Sequence, residues 1–337
     1  MATRKKKIKT KEQKVGIVGV GAHLPKKVLT NEDLEKMVDT SDEWITKRTG
    51  IKERRIADKD TATSDMAKEA SLEALKDAGL SPEEVDLIIV ATITPDMPLP
   101  STACILQSKI GAKNAVAFDI SAACAGFIYA IAAAEAFIKR GLYNNALVLG
   151  AEKMSSVTDW TDRNTCVLFG DGAGAVVLKK VESGGILSIN LGSDGTKSDL
   201  LKIPAGGSLK PTSKETIEER GHYIKMSGTE LFKYAVKMMA DAGNKAASEL
   251  NYSCDDIDWV IPHQANIRIL NAVANRMKLN SKKLYLNIRR YGNMSSASTA
   301  VALVEAVKEG RIKRGDVIVL DAFGAGLVWG AMLIEWH

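Results

Sequence analysis

The chain repeats one pattern of elements at a nearly constant spacing, and this repeat limits its possible folds more than any other feature. The matched segments are 81–90 with 253–261, 124–141 with 293–310, and 146–149 with 317–320. The offsets stay close to one another (293 − 124 = 169, 310 − 141 = 169, 317 − 146 = 171). Any two α/β segments resemble each other in composition, but a constant spacing and a shared order favour duplication. We therefore predict two equivalent halves, 15–182 and 183–337.

Hydrophobic periodicity predicts strands that alternate with helices along the first half. The predicted strands are 15–20, 86–90, 115–120 and 146–150, and the predicted helices are 65–77 and 127–140. Ser64 is expected to cap the first of these helices, and Gly79 follows its end. Such alternation predicts an α/β fold with parallel strands and helices on both faces of the sheet.

The excess of positive charge is confined to the N-terminus. The 337 residues carry a net charge of +5. Residues 1–14 contain seven basic groups and one acid, a balance of +6, so the remaining 323 residues sum to −1 (5 − 6). The body of the protein therefore lacks the charge typical of a polyanion binder. We expect a disordered basic tail over 1–14; the alternative, a nucleic-acid-binding protein, would rest on residues 4–14 alone.

Cysteine usage and hydropathy indicate the compartment. The four cysteines lie far apart without CxxC spacing, and the four histidines do not cluster with them. This pattern argues against a metal site or a disulfide framework and fits a reducing cytosol. The N-terminus lacks an apolar signal core, and the longest apolar run, 122–134, is too short to span a bilayer. We expect a cytoplasmic, soluble protein with no metal and no membrane partner.

Cys124 is the leading candidate for a nucleophile. It lies between the predicted strand 115–120 and the predicted helix 127–140. Unpaired N–H groups and the positive end of the helix dipole would lower the pKa of a thiol placed there. The alternative is a small buried thiol of the core, the usual state of a free cysteine.

His263 and Asn293 are predicted to lie close to Cys124. His263 follows a buried strand, and Asn293 is the counterpart of Cys124 in the second half. In a duplicated sheet the carboxyl ends of matching strands can converge on one central cleft. Neutral imidazole can donate a hydrogen bond there, and an asparagine amide can donate to a carbonyl oxygen. The alternatives are a structural histidine and an ordinary asparagine N-cap.

Two glycine-rich segments have different predicted roles. The segment 323–330 follows a strand, and its small residues would let backbone N–H groups approach an oxyanion. The segment 169–175 resembles a dinucleotide-binding loop only superficially, because β-prone residues follow it instead of a helix. We predict a tight turn before a strand at 169–175.

Several motifs together resemble a known family, the β-ketoacyl-acyl-carrier-protein synthases III of type II fatty acid synthesis. These motifs, which occur in the family's order within residues 14–337, are 40–45, 48–51, 121–127, 169–174, 262–266, 291–293 and 322–330. The resemblance implies a thiolase-like fold, a duplicated five-layer αβαβα architecture with two mixed sheets. It also implies a decarboxylative Claisen condensation of acetyl-CoA, or another short acyl-CoA, with malonyl-acyl-carrier protein.

The resemblance assigns roles to the candidate residues. Cys124 would carry the acyl group, and His263 and Asn293 would hold the enolate formed when malonyl-carrier protein loses CO₂. The backbone N–H groups of Cys124, Ala325 and Gly326 would bind the oxyanion; the family usually has glycine where Ala325 stands. The CoA thioester would be a substrate, and no cofactor would be required.

Further residues are implied by the same resemblance as binding sites. The CoA or pantetheine contacts would be Trp44, Arg48, Arg163 and Asn266; the carrier-protein contacts would be Gln264, Lys233, Arg268 and Arg276; and the acyl pocket would include Leu99 and Phe169. Leu99 would reach across a homodimer interface, at a position where some members carry an aromatic residue.

Competing enzymes of the same fold differ at identifiable positions. A degradative thiolase would need a second cysteine in the 324–326 loop, which has none, and an elongating synthase would carry histidine in place of Asn293. A related polyketide or secondary-metabolite acyltransferase or condensing enzyme could share Cys124 and His263, and stays open as the alternative.

Overall fold

The computed structural model describes residues 13–337. The elements of the first half are β1 Lys14–His23, β2 Lys27–Thr30, α1 Asn31–Glu35, α2 Asp42–Thr49, β3 Glu53–Ile56, α3 Thr63–Asp77, β4 Leu87–Ala91, α4 Thr102–Ile110, β5 Val116–Ile120, α5 Gly126–Lys139, β6 Asn145–Lys153 and β7 Asp171–Val181. The elements of the second half are β8 Gly185–Ser193, β9 Leu201–Lys202, α6 Lys214–Glu218, β10 Lys225–Met226, α7 Gly228–Ser248, β11 Trp259–Pro262, α8 Ile267–Met277, α9 Ile288–Tyr291, α10 Ser296–Lys308, β12 Val317–Gly324 and β13 Val328–Glu335.

Two main sheets repeat the same strand order. The first sheet has the order β1-β7-β6-β4-β5, and the second has the order β8-β13-β12-β11. In both sheets the last-named strands run parallel (β6, β4 and β5; β12 and β11), whereas the first-named strands are antiparallel. A backbone bridge between Val260 and Leu284 stands where the second sheet would have its counterpart of β5. The matching topologies are those of a duplicated unit, and both sheets are mixed rather than purely parallel.

The apolar cores stack these sheets into five layers. Helices α3 and α4 cover the outer face of the first sheet. Helices α5 and α10 lie between the sheets, where their apolar residues contact both. Helices α7 and α8 cover the outer face of the second sheet. The order is therefore αβαβα, which confirms the predicted fold class.

Three local predictions were wrong. Ser64 does not cap α3, because the helix begins at Thr63 and the Ser64 hydroxyl bonds Asp96 instead. Lys14 does not belong to a tail, because it opens β1 and pairs with Val181; residues 1–12 of the predicted tail lie outside the described residues. Gly174 lies inside β7 rather than in a turn.

The central helix α10 lies so close to the first sheet that two strand positions require glycine. A Cβ atom on Gly174 would lie 2.6 Å from the Cβ of Ala300, and one on Gly150 would lie 2.4 Å from the carbonyl oxygen of Ser296. Real Cβ atoms do not approach so closely, because interiors are close-packed. These glycines therefore set the depth at which α10 rests on β6 and β7.

No helix within residues 13–337 combines the length and apolarity needed to cross a bilayer.

We predict that Gly174→Ala lowers the free energy of unfolding by about 1–3 kcal/mol, because its methyl group would push α10 away from β7. Urea denaturation followed by circular dichroism would measure the change. The matched control is Gly207→Ala, where an added Cβ meets no atom within 4 Å and the expected change is below about 0.5 kcal/mol. Equal stability of the two variants would contradict the close-packing argument.

Candidate active site

One cavity of about 1270 Å³ brings together the three residues predicted to converge. Cys124 comes from the first half, and His263 and Asn293 come from the second; all three line the cavity. The repeat explains this convergence, because Cys124 precedes α5 and Asn293 precedes α10, the two central helices. The structure thus places all three residues on one cavity.

Cys124 lies at a tight turn between β5 and α5. It is the middle residue of a short 3₁₀ turn, 123–125, and it is 8% exposed. Ala123, the residue before it, has a positive φ of 44°, a conformation that non-glycine residues rarely adopt outside functional sites. The turn aims the thiol into the cavity from the start of the central helix.

The thiol pKa of Cys124 is raised, not lowered as predicted. Burial raises the pKa of Cys124 to about 12, because a thiolate is disfavoured away from water. A contact with the Ser295 hydroxyl and the backbone N–H of Cys124 itself act in the opposite direction but are smaller. At neutral pH the thiol is therefore protonated before substrate binds.

His263 is held as a neutral ring directly after β11. Its backbone N–H donates to the carbonyl oxygen of Asp321 (2.7 Å), which extends the pairing of β11 with β12. Burial lowers the pKa of His263 to about 3. Nδ1 is buried without a hydrogen-bond partner. Nε2 is therefore the ring nitrogen that can interact with a bound group. A neutral imidazole can donate one hydrogen bond there.

The Asn293 amide is oriented by its neighbours. Its Oδ1 accepts a hydrogen bond from the backbone N–H of Ser295 (2.8 Å). Its own backbone is paired with the first half, because Asn293 N–H donates to the Leu168 carbonyl (2.9 Å) and Gly170 N–H donates to the Asn293 carbonyl (3.0 Å). The amide oxygen is thereby occupied, and the Nδ2 group is left as a donor. Asn293 is not the N-cap of α10, which is Ser295.

The end of β12 lies against the Cys124 turn. A Cβ atom on Gly324 would be 2.6 Å from the backbone nitrogen of Cys124. Ala325 and Gly326 follow Gly324 and also line the cavity. The loop whose backbone N–H groups are predicted to bind an oxyanion therefore lies beside Cys124, and the Ala325 methyl group leaves that backbone donor in place.

An apolar chamber surrounds Phe169. This residue is 4% exposed and packs with Met154 and Ile224, and all three line the cavity together with Ile93. Leu99 is not among the lining residues of this chain and is 85% exposed. Its predicted role across a dimer interface stays a prediction.

An aromatic and basic group marks the outer part of the site. The guanidinium of Arg48 lies 5.0 Å from the centre of the Trp44 ring, and that of Arg163 lies 4.7 Å from it. Trp44 and Arg48 line the cavity. Asn266 also lines it, although its Oδ1 is used to cap α8 by accepting from Arg268 N–H (2.9 Å). Three of the four predicted CoA contacts thus line the cavity, and the fourth, Arg163, packs against Trp44.

The predicted carrier-protein contacts fall into three groups. Lys233 and Arg268 line the cavity. Arg276 lies away from it and pairs with Asp241 (3.1 Å). Gln264 is fully buried, and its amide bonds the backbone of Pro262, Tyr285, Asn287 and Ile288. The prediction for Gln264 was therefore wrong: this side chain holds the 285–288 segment and cannot touch a partner protein.

Sequence reasoning missed two residues at the site. Ser295 lines the cavity with a buried hydroxyl, and Glu152 is a fully buried carboxyl near the Cys124 thiol. A single acid near the carboxyl end of an otherwise apolar strand was the available signal for Glu152. Within the described residues, no group of three or more His, Cys, Asp or Glu side chains is arranged to hold a metal ion.

A duplicated αβαβα fold with cysteine, histidine and asparagine on one cavity defines a condensing enzyme of the thiolase-like class. The family model described as 3-oxoacyl-[acyl-carrier-protein] synthase III matches residues 118–195, and its C-terminal counterpart matches 247–336. The chain is 58% identical over 322 residues to the β-ketoacyl-[acyl-carrier-protein] synthase III of Caldanaerobacter subterraneus subsp. tengcongensis, with 95% of this chain and 97% of the relative covered. Identity to the enzyme of the same name from Clostridioides difficile is 55% over 323 residues, with 96% and 98% covered.

Solved structures agree with these relatives. The 3-oxoacyl-[acyl-carrier-protein] synthase III of Aquifex aeolicus VF5 superposes with a TM-score of 0.88 at 51% identity, covering 96% of this chain and 100% of that one. The priming β-ketosynthase of the R1128 polyketide pathway superposes with a TM-score of 0.89 at 33% identity, covering 98% and 99%. The chain belongs to the β-ketoacyl-[acyl-carrier-protein] synthase III family. It is an acyltransferase, an initiating condensing enzyme of type II fatty acid synthesis.

We predict that His263 makes stability depend on pH between neutrality and about pH 5. Its folded pKa of about 3 lies below the 6.5 of an unperturbed histidine side chain. The unfolded chain therefore binds the extra proton first, and stability falls as the pH drops below about 6.5. Between pH 7 and pH 5 the wild type should lose about 2 kcal/mol more than His263→Asn, measured by urea denaturation at fixed protein concentration. The same loss in both proteins would show that His263 is not held neutral by burial.

Proposed function

We propose that Cys124, His263 and Asn293 carry out a ping-pong condensation of a short acyl-CoA with malonyl-acyl-carrier protein. The observation that supports this assignment is their joint position on one cavity, with the Asn293 amide oxygen already occupied and His263 held neutral. The family membership supports the same reaction. The CoA thioester is a substrate of this scheme, which needs no cofactor.

In the first half-reaction the Cys124 sulfur attacks the acyl-CoA thioester. The acyl group is transferred to Sγ, and CoA leaves with the proton that the thiol has lost. Backbone N–H groups of Cys124 and the Ala325–Gly326 loop bind the oxyanion during attack. Burial disfavours a free thiolate, so thiolate formation is coupled to the arrival of the thioester.

In the second half-reaction malonyl-carrier protein takes the place of CoA. Loss of CO₂ leaves an enolate whose oxygen accepts hydrogen bonds from His263 and from Asn293 Nδ2. Both donors are neutral, so neither needs a protonation event before each turnover. The enolate carbon attacks the acyl carbonyl carbon on Cys124, and the bond from that carbon to Sγ breaks. The Cys124 sulfur leaves as a thiolate and takes up a proton, and a β-ketoacyl-carrier protein is released.

The binding roles follow the same arrangement. Trp44 with Arg48 and Arg163 would hold the adenine end of CoA, and Asn266 would bond the pantetheine arm. Lys233 and Arg268 at the cavity, with Arg276 farther out, would attract the acidic carrier protein. Phe169 and the apolar side chains around it would surround the acyl chain.

We also propose that the enzyme is a cytoplasmic homodimer. Strand β5 lies at an open edge of the first sheet, and Val116 at its start is 48% exposed. Leu99 and Met97, in the loop before α4, are 85% and 45% exposed. An apolar edge of this kind is normally covered, and a second copy would cover it while bringing Leu99 to the partner's acyl chamber.

A polyketide-priming condensing enzyme is the second candidate, because the R1128 priming β-ketosynthase shares the fold at 33% identity. Product formation from malonyl-carrier protein, compared between fatty-acid and polyketide carrier proteins, separates the two. Clear preference for a polyketide carrier protein would favour the second candidate.

Intact-mass spectrometry after incubation with a panel of acyl-CoAs is the direct test of the nucleophile. We expect the mass of one acyl group to be added to the wild type and located on Cys124. The amount of acyl-enzyme formed from each acyl-CoA also shows which acyl chains the apolar chamber accepts. Cys124→Ser should show no acyl group, and normal turnover by this variant would remove Cys124 from its role.

Asn293→Ala should separate the two half-reactions. Loss of the amide donor should lower decarboxylation of malonyl-carrier protein by about 10²–10³-fold, as removal of one oxyanion donor does elsewhere. Acylation of Cys124 should stay within about threefold of the wild type, because Asn293 has no part in that step. The two rates would be measured as released CO₂ and as acyl-enzyme mass, and an equal loss of both would contradict the assignment.

A further inference from the structure

Glu152 is a fully buried acid that the proposed mechanism does not use. It lies next to the end of β6 with 0% exposure, and a negative charge on it would raise the pKa of the nearby Cys124. Its partners come from both halves of the fold, and all of them are hydroxyl or backbone N–H groups. A buried carboxyl without a basic partner is costly when it is charged.

The oxygen Oε2 accepts three hydrogen bonds. They come from the hydroxyl of Thr92 (3.2 Å), the backbone N–H of Ile93 (3.1 Å) and the hydroxyl of Thr94 (2.6 Å). The Thr94 oxygen itself accepts from the backbone N–H of Lys153 (2.8 Å), so its hydrogen is available to Glu152. Oε2 therefore carries no proton.

The oxygen Oε1 is in a different position. It lies 2.9 Å from the Ser296 hydroxyl oxygen, which lies 2.8 Å from the carbonyl oxygen of Ala91. A carbonyl can only accept, so the single hydroxyl hydrogen of Ser296 goes to Ala91. With the Ser296 hydrogen assigned to Ala91, the hydrogen between Glu152 and Ser296 is assigned to Glu152. Glu152 thus donates to Ser296, and Ser296 donates to Ala91. Burial raises the pKa of Glu152, which also favours its protonated form.

This chain connects the two halves at the nucleophile. Ser296 is the first residue of α10, and Glu152 holds it from β6. The preceding residue, Ser295, donates its N–H to Asn293 Oδ1. The Ser295 hydroxyl has no well-formed hydrogen bond, yet it lies close enough to favour the charged forms of both Cys124 and Glu152. Ser295 also has a positive φ of 48°, a conformation that needs support from its surroundings.

We propose that Glu152 is a positioning residue that works as a neutral carboxylic acid, tying β6 to the start of α10 and so fixing Asn293 and Ser295 against Cys124. As an uncharged group it supplies this anchor without a negative charge beside the sulfur. The consequence for catalysis rests on the proposed function of Cys124 and Asn293.

Glu152→Gln and Glu152→Ala test this proposal as a pair, because the first keeps the proposed hydrogen bonds and the second removes them. The glutamine oxygen can accept at the place of Oε2, and its amide can donate to the Ser296 hydroxyl as the acid does, so that only the long contact from the Ser296 N–H (3.4 Å) is lost. Alanine can make neither hydrogen bond. We expect decarboxylation of malonyl-carrier protein by Glu152→Gln to stay within about threefold of the wild type, and that by Glu152→Ala to fall by about 10²-fold. The matched control is Glu135→Ala, which removes another largely buried acid, one paired with Lys139 on α5.

A second measurement needs no acyl substrate. The rate at which iodoacetamide alkylates Cys124 would be followed by peptide mass spectrometry from about pH 6 to about pH 10, with the exposed Cys104 as the internal reference. Glu152→Gln should leave the pH profile of Cys124 unchanged, because no charge is removed. Alkylation at least about tenfold faster at pH 7 would show that a carboxylate had been neutralised and would overturn the proposal.

The outcomes separate this inference from the proposed function. Wild-type decarboxylation by Glu152→Ala, or a loss no larger than in Glu135→Ala, would overturn the positioning role. Absence of any acyl-Cys124 in the wild type would count against the proposed function, while the alkylation profile would still decide the charge of Glu152.

Discussion

The packing of α5 and α10 side by side between two sheets is the constraint on which the rest of the structure depends. Each helix begins at the same cavity, so the residues just before the two helices, Cys124 and Asn293, meet there. The approach is close enough that Gly150 and Gly174 have no room for a side chain. The same packing places Ser296 over the end of β6, where Glu152 holds it. The layered fold and the position of the site therefore both depend on the packing of α5 and α10.

The site is built from groups that burial keeps uncharged. Burial raises the pKa of Cys124, lowers that of His263 and raises that of Glu152. A neutral imidazole and a neutral amide can stabilise an enolate as it forms, because they donate hydrogen bonds in a region of low dielectric constant. The cost is that the nucleophile is not a free thiolate at rest. Basic side chains are instead grouped at Trp44, where the guanidinium groups of Arg48 and Arg163 lie close to its ring.

The sequence was most informative where a pattern depends on local geometry. Periodicity placed β4, β5 and α5 to within a residue or two, because burial of one face imposes its own spacing. The sequence was least informative about side-chain hydrogen bonds to residues far away in the chain. Ser64 bonds Asp96 rather than capping its helix. Gln264, which the family resemblance assigned to carrier-protein contact, is enclosed by the 285–288 backbone. Neither partner is close in sequence.

By itself, the sequence determined the α/β class, the repeated order of elements, the matching positions of Cys124 and Asn293, and the place of His263 after a strand, because the repeat and the strand and helix periods are properties of the chain. Only the tertiary structure decided that β1 and β7 are antiparallel, how deeply α10 rests on the sheet, and that the Cys124 thiol is protonated at rest. It also decided the hydrogen-bond partners of Glu152, which is an isolated acid in the sequence. Burial and hydrogen bonds between groups far apart in the chain set these features, so they exist only after folding.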